Sequence, residues 1–421
     1  MVEKLKILLI VPHYEPDLGP SAPLFTLLST ELVKRGHHVC VLTTVPHYPS
    51  GIVPPSFRTK WIQSSVENGV EIYRVRVPSM NRSCLTARML QFIAFQWGST
   101  IRGLLLNYDV VFAANPALWV WLPFTCLSVL RRKPAVFSVY DLYPDVGIRL
   151  GIFRSRMVIE VVRLLEKFCL QHAASVRIIS ESFRSGIRQF GIPNSKIRLI
   201  PDWVDTELIR PLPHHNSFTS QYNLNGHFII QYAGNIGLSQ GLDQILDAAQ
   251  SLINYPDILF VLVGDGSGRE KLERKAQKRN LTNLRFIPFQ PRQQLAEVLA
   301  AADVSLVVLR EGVAYTAMPS KILSILASGR PVIACVDQGS ETWNFIQRTG
   351  AGFCVPPDNP EKFLQAILTL HKNPDLRRQM GESGRRWVLQ NHTPAIAAEN
   401  MEQLFLSMLR YPLTKPNTLS S

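Results

Sequence analysis

Residues 228–249 read FIIQYAGNIGLSQGLDQILDAA. The first six form an apolar run ending at Ala233, and Gly234, Gly237 and Gly241 follow closely. Ile245, Leu246 and Ala249 then recur at helical spacing. A buried strand, a glycine turn and an amphipathic helix make one unit of a parallel α/β layer. Glycines between strand and helix let a backbone approach a phosphate. Yet the stretch holds no Lys or Arg, so the charge opposing such an anion must come from elsewhere.

The same pattern recurs on both sides. Upstream, KILLIV, HHVCVLTT, VEIYRVRV, DVVFAA, PAVFSVYD, SVRIIS and KIRLIP read as strands, with helical patterns over 21–36 and about 86–107. The Pro-, Asn- and His-rich segment VDTELIRPLPHHNSFTSQYNLNGH interrupts the rhythm. It resumes with FIIQYAG, ILFVLVGDG, LRFIPF, VSLVVL, PVIACV and GFCV. The expected class is α/β, with two doubly wound parallel-sheet, Rossmann-like domains facing a cleft. The boundaries are 1–205 for the first domain, 206–226 for a linker and 227–390 for the second domain. Residues 391–421 read as a helix returning toward the first domain and a frayed tail. No internal repeat is apparent.

A chain of 421 residues is long for a single core, and 46% hydrophobic with 18% charged residues suits a folded enzyme. The six cysteines form no CxxC or Cys/His cluster, so neither a metal site nor a disulfide framework is expected. The start shows no secretory leader, and NPALWVWLPFTCLSVL falls short of the ~20 apolar residues a spanning helix needs. The expected location is cytoplasmic, with possible peripheral contact at the inner membrane face. The net charge is +13, of which +10 lies in residues 1–205. Such a balance attracts an anionic lipid surface or a polyanion, and no nucleic-acid motif accompanies it. The apolar, aromatic run MLQFIAFQWGSTIRGLLL is read either as a membrane-docking helix or as one buried within the domain.

Five loops after strands carry candidate chemistry. In HYEPDLGPSAPLF, Gly19 and Pro20 precede an expected N-cap at Ser21. In SVYDLYPDVG, Asp141 and Asp145 stand four apart at a strand's carboxyl end, placed to orient a hydroxyl or move a proton. In the opening stretch, the turn offers N–H donors and the neutral Asn235 and Gln240. In VLVGDGSGREKLE, Gly264, Asp265 and Gly266 form a nucleotide-approach turn, with Lys271 and Arg274 on the next helix. In LREGVAYTAMPSKILSILASGRPVIA, Pro319, Ser320 and Lys321 open a helix, with Arg310 and Glu311 at the preceding strand end. A Lys in a first turn opposes the helix dipole, which favours a functional role. Lys321 is the expected missing cation and Arg310 the second choice.

Taken in order, HYEPDLGP, YDLYPD, ISESFR…FGIPNSKIRLIPDWVD, YAGNIGLSQGLDQILDAA, VLVGDGSGREKLE and PSKILSILASGRPVIA resemble the retaining glycosyltransferases of family four. Within these, the chain is similar to bacterial O-antigen and colanic-acid transferases of the fucosyl or N-acetylfucosaminyl type. The resemblance covers about residues 6–390 and implies the GT-B fold. It implies a nucleotide-diphosphate-sugar donor on the second domain and a glycan or polyprenyl-linked acceptor on the first, in cell-envelope polysaccharide synthesis. On this reading Gly19, Asn235, Gln240, Gly264, Asp265, Gly266, Phe289, Gln290, Arg310, Pro319, Ser320 and Ser324 meet the donor. Tyr14 and Asp145 meet the acceptor, and Asp141 and Lys321 are catalytic. No metal or cofactor is implied. The wider family carries two Glu where this chain has Thr316 and Ser324, so the ribose must be held differently. An epimerase of the same architecture, and a non-catalytic nucleotide-sugar-binding subunit, are the alternatives.

Overall fold

The computed structural model describes residues 3–80, 85–149, 153, 155–237, 240–314, 319–357 and 359–410. Two compact units result, one formed by residues 1–202 with 394–421 and the other by residues 203–393.

The first unit holds eight strands: β1 (Lys6–Ile10), β2 (His38–Thr44), β3 (Ile62–Glu67), β4 (Val70–Val75), β5 (Val110–Ala114), β6 (Ala135–Val139), β7 (Ser175–Ile178) and β8 (Ile197–Leu199). Their order is β3-β4-β2-β1-β5-β6-β7-β8. β5 and β6 are buried along their whole length, as expected of strands with helices on both faces. The sheet is parallel except for β3, which pairs antiparallel with β4. Asn68 and Gly69 at that hairpin both take positive φ, at 51° and 79°, the geometry of a type I′ turn. Of its two strands β4 was expected, as VEIYRVRV, and β3 was not.

Helix Ala22–Lys34 carries Pro in its first turn, but Ser21 makes no side-chain cap, which corrects the expected N-cap. Helix Pro394–Arg410 packs on Ala22–Lys34. Its buried Glu402 takes a bond from Arg35 Nε at 2.7 Å and lies 2.9 Å from His37 Nε2. The expected frayed tail beyond 410 lies outside the described residues.

The second unit is a six-stranded, all-parallel sheet: β9 (Phe228–Ala233), β10 (Ile258–Val263), β11 (Leu284–Ile287), β12 (Val304–Val308), β13 (Val332–Cys335) and β14 (Gly352–Val355). The order is β11-β10-β9-β12-β13-β14. Strand order reverses between β9 and β12, where a ligand crevice opens in sheets of this kind. The segment read as a linker contains a short helix, Ser217–Gln221, closed by an Asn216–Thr219 capping box. Phe218 and Leu224 join the core beneath β9 and β10.

Candidate functional site

The loops that leave β9, β10 and β12 meet at the reversal in the second unit. The first two are packed backbone on backbone. Gly264 (φ +143°) lies so close to its neighbour that a Cβ there would meet the Gly234 carbonyl oxygen at 2.0 Å. Gly234 N–H donates to Val263 O at 2.9 Å and Ile236 N–H to Asp265 O at 2.8 Å. Gly237 N–H donates to Gln240 Oε1 at 3.1 Å. These donors are therefore spent inside the protein. That corrects the expectation that the turn offers a row of free N–H groups. The glycines serve loop-on-loop packing, and Gln240 braces the turn. Asn235 and Asp265 remain exposed.

Lys321 opens the helix Lys321–Ala327. Among the described residues its buried Nζ has no hydrogen-bond partner, and it lies 3.6 Å from the centroid of the Tyr232 ring. A Cβ on Gly234 would come within 3.0 Å of that nitrogen, so the glycine leaves room for the ammonium. Burial pushes the lysine down to about 7. A cation in such a place, facing only a ring, is held ready for an anion. Lys321 and the 234–237 turn thus meet. Tyr232, whose hydroxyl donates to Asn235 O at 2.7 Å, was missed by the sequence reading. A large aromatic at the last inward position of a strand otherwise lined by Ile was its only signal.

The remaining second-unit candidates lie around this centre. Ser320 and Arg310 are exposed, and Pro319 and Ser324 half-buried. A Cβ on Gly241 (φ +61°) would lie 3.1 Å from Arg310 Cγ, which places Arg310 against the same turn. Arg310, Lys271 and Lys275 line a small hollow with Gly237 and Gly268. Lys275 is paired with Asp243 at 2.5 Å. Phe289 is 71% exposed beyond β11, and Gln290 donates to Tyr222 Oη at 3.0 Å. Thr316 lies outside the described residues.

In the first unit the candidates fare differently. Tyr14 is 1% exposed and its hydroxyl shares a 2.7 Å bond with Ser29. It is a packing residue, which corrects its place as an acceptor contact. Gly19 N–H donates to Asp17 Oδ1 at 2.7 Å, so it is not free for a donor phosphate, a second correction. The anion in this loop is internal. Asp17 also receives His47 N–H at 2.9 Å and lies 3.3 and 3.4 Å from the Nδ1 atoms of His13 and His47. Although burial opposes its charge, those donors hold its carboxyl far below the usual range. Both histidines come from copies of one motif, VPHY at 11–14 and 45–48. The repeat was visible in the sequence and was missed.

Asp141 and Asp145 follow β6, and both are exposed. Desolvation by the atoms around Asp141, with the nearby Asp202 carboxylate, pushes it up to about 6. Its electrostatic partner is Asp202, held by buried Arg177 at 2.7 Å, rather than Asp145.

Comparison with known proteins agrees with this layout. Residues 22–203 match the family described as Glycosyl transferase 4-like domain, and residues 217–387 the family described as Glycosyl transferases group 1. The chain is 26% identical over 391 residues to the putative colanic acid biosynthesis glycosyl transferase WcaI of Escherichia coli, covering 90% of this chain and 96% of that protein. Among solved structures, sucrose-phosphate synthase from Thermosynechococcus elongatus superposes with a TM-score of 0.72 at 20% identity, covering 97% of this chain and 100% of the other. HepE from Anabaena, solved in complex with UDP, gives a TM-score of 0.68 at 15% identity, covering 96% and 100%. The fold is GT-B, with two parallel-sheet α/β domains.

Proposed function

We infer that this chain, which belongs to the group 1 glycosyltransferases with a glycosyl transferase 4-like first half, moves a sugar from a nucleoside-diphosphate sugar to a glycan or lipid-linked acceptor in cell-surface polysaccharide synthesis. The observation that carries this reading is the buried, unpaired Lys321 ammonium beside Gly234 and Tyr232 at the strand-order reversal. A diphosphate entering there gains a cation that is already desolvated and oriented, where electrostatic attraction is strongest. Arg310, exposed against the same turn, adds a second charge. Phe289 offers an exposed ring on which a base can stack. Asp141, kept basic above about pH 6, orients the acceptor hydroxyl. The leaving diphosphate assists attack from its own face, so configuration is retained and no metal is required.

A thermal-shift panel of UDP-, GDP- and dTDP-sugars tests the donor class. One of them at a hundredfold excess over its Kd should stabilise the chain by roughly 2.7 kcal/mol. No shift with any of them, or a shift that persists unchanged in Lys321→Ala, counts against the reading.

The acceptor side of the proposal rests on an apolar face of the first unit. Among the described residues, no helix is long and apolar enough to cross a membrane. Helix Leu85–Leu104 instead exposes Leu90, Ile93, Trp97 and Ile101 along one stripe, with Leu105 just beyond it 74% exposed. Helix Arg156–His172 exposes Met157, Val161 and Leu164. Both pack on helix Ala117–Phe124 and so lie on one side of the sheet. We assign this face to an anionic bilayer surface, with Arg131, Arg132 and Lys133 nearby as counter-charges. In vesicle flotation, Trp97→Ser with Ile101→Ser should abolish binding to anionic liposomes without changing Tm. Equal flotation by both proteins would remove the assignment.

A further inference from the structure

At the amino ends of β12 and β13, on the edge of the second sheet opposite the Lys321 loops, lies a hollow of about 480 Å³. That volume suits a small-molecule site. Five arginines line it: Arg330, Arg377, Arg378, Arg385 and Arg386. Only Asp303 and Glu382 oppose them on its walls. Asp303 is already engaged, accepting Ile229 N–H at 2.8 Å and lying 3.1 Å from His214 Nε2.

The inner arginines are anchored by neutral carbonyls. Arg330 Nη2 donates to Leu212 O at 3.0 Å and to Ala300 O at 2.6 Å, while its buried Nε has no partner. Arg385 Nη1 donates to Ile209 O and to Ala327 O, each at 2.8 Å, and its Nη2 to Thr206 O at 3.1 Å. Arg377 Nη1 donates to Leu370 O and His371 O, and its Nη2 stays 3.9 Å from Asp303. Carbonyls fix these forks in place and carry no formal charge; the carboxylates acting on the inner three are Asp303, on Arg330 and Arg377, and Glu207, on Arg385. Burial still lowers the pKa values of Arg330 and Arg385. At the rim, Arg378 pairs with Asp375 at 3.1 Å, and Arg386 is exposed and has no ion pair among the described residues.

Guanidinium forks match a phosphoryl or a carboxylate group, and five of them around one hollow favour the more highly charged phosphoryl group. We propose that this arginine-lined hollow is a second anion site on the second unit, taking a soluble phosphate-bearing small molecule. It is separate from the donor site, because a whole strand length, about 17 Å, divides the two ends of β12.

Pyrophosphate titration of the full chain by calorimetry tests this. The Lys321→Ala background removes the donor-site cation, so the two sites are read separately. In that background pyrophosphate should still bind, and Arg378→Ala with Arg386→Ala should weaken it about tenfold or more. Both residues lie at the rim and anchor no carbonyl, so Tm should hold. Arg386→Glu alone should weaken binding further than Arg386→Ala. Unchanged affinity in the double variant, or no heat at millimolar pyrophosphate, would overturn the site. Loss of binding to phosphatidic acid vesicles in the double variant, with pyrophosphate binding unaltered, would overturn the soluble ligand in favour of a lipid headgroup.

Discussion

Replacing Lys321 by Ala is expected to lower turnover by roughly 10²–10³, the usual cost of removing one preorganised charge from a developing anion. The loss should fall on turnover more than on donor KM, because the leaving diphosphate carries more charge as the bond breaks. pH gives an independent readout. Burial lowers the lysine to about 7, so the ammonium dominates below that value and the neutral amine above it. Activity per donor should therefore decline about tenfold per unit above pH 7, where an exposed lysine would stay flat to ~10. On the acid side, ionisation of Asp141 at about 6 should give a rising limb. The expected profile is a narrow bell, and Asp141→Asn should flatten its acid side.

Stability moves the opposite way. A base whose folded pKa is depressed loses stability as pH falls from its unfolded value toward its folded one, and the full penalty applies below the folded value. Lys321→Met, which fills the space without the charge, should thus raise Tm at pH 6 while lowering turnover by the same roughly 10²–10³. A Met variant that melts lower and turns over normally would mean the lysine is structural.

Much of the architecture was legible because buried parallel strands advertise themselves. ILFVLV and VSLVV have helices on both faces and therefore no polar alternation. β4 was legible as VEIYRVRV, whereas β3 and the turn that joins them were not, since IQSSVE is largely polar and only half-buried. The turn's true signal was the Asn68-Gly69 pair. The N–H groups of Gly19, Gly234 and Gly237 are not free, because the protein's own oxygens accept them. Gly19, Gly234 and Gly237 are glycines because something approaches closely, but what approaches is the protein's own side chains: the His13 ring at 2.4 Å from a Cβ on Gly19, the Lys321 ammonium at 3.0 Å from one on Gly234, and the Asn235 and Gln240 amides at 2.8 Å from one on Gly237. Sequence spacing identifies a glycine turn but not which partner occupies it. Lys321 was legible through its awkward position at a helix start. Its aromatic seat and Asp202 were not, because both are contacts between segments distant in the chain.

Gly264→Ala should be among the most damaging single-residue changes in the second unit. The added Cβ would fall 2.0 Å from the Gly234 carbonyl oxygen, which is backbone and has no rotamer to escape into. Both loops are tied on either side. Gly264 N–H donates to Ile287 O at 3.0 Å, Gly234 N–H to Val263 O at 2.9 Å, and Arg269 Nη1 donates to Gly264 O at 2.6 Å. Relief would require breaking part of that ladder as well as accepting φ +143°, a region L-residues rarely adopt. Steric relief and lost bonds together should exceed about 4 kcal/mol. In a unit of this size that is roughly a 10 °C fall in Tm. Gly226→Ala is the matched control: it also takes a positive φ, +85°, but has nothing within 4 Å of its would-be Cβ. Backbone strain alone should cost it about 1 kcal/mol. The difference between the two variants isolates loop-on-loop contact from φ preference. If scanning calorimetry finds them melting within a degree of each other, the close packing of the β9 and β10 loops is wrong, and the seat of Lys321 with it.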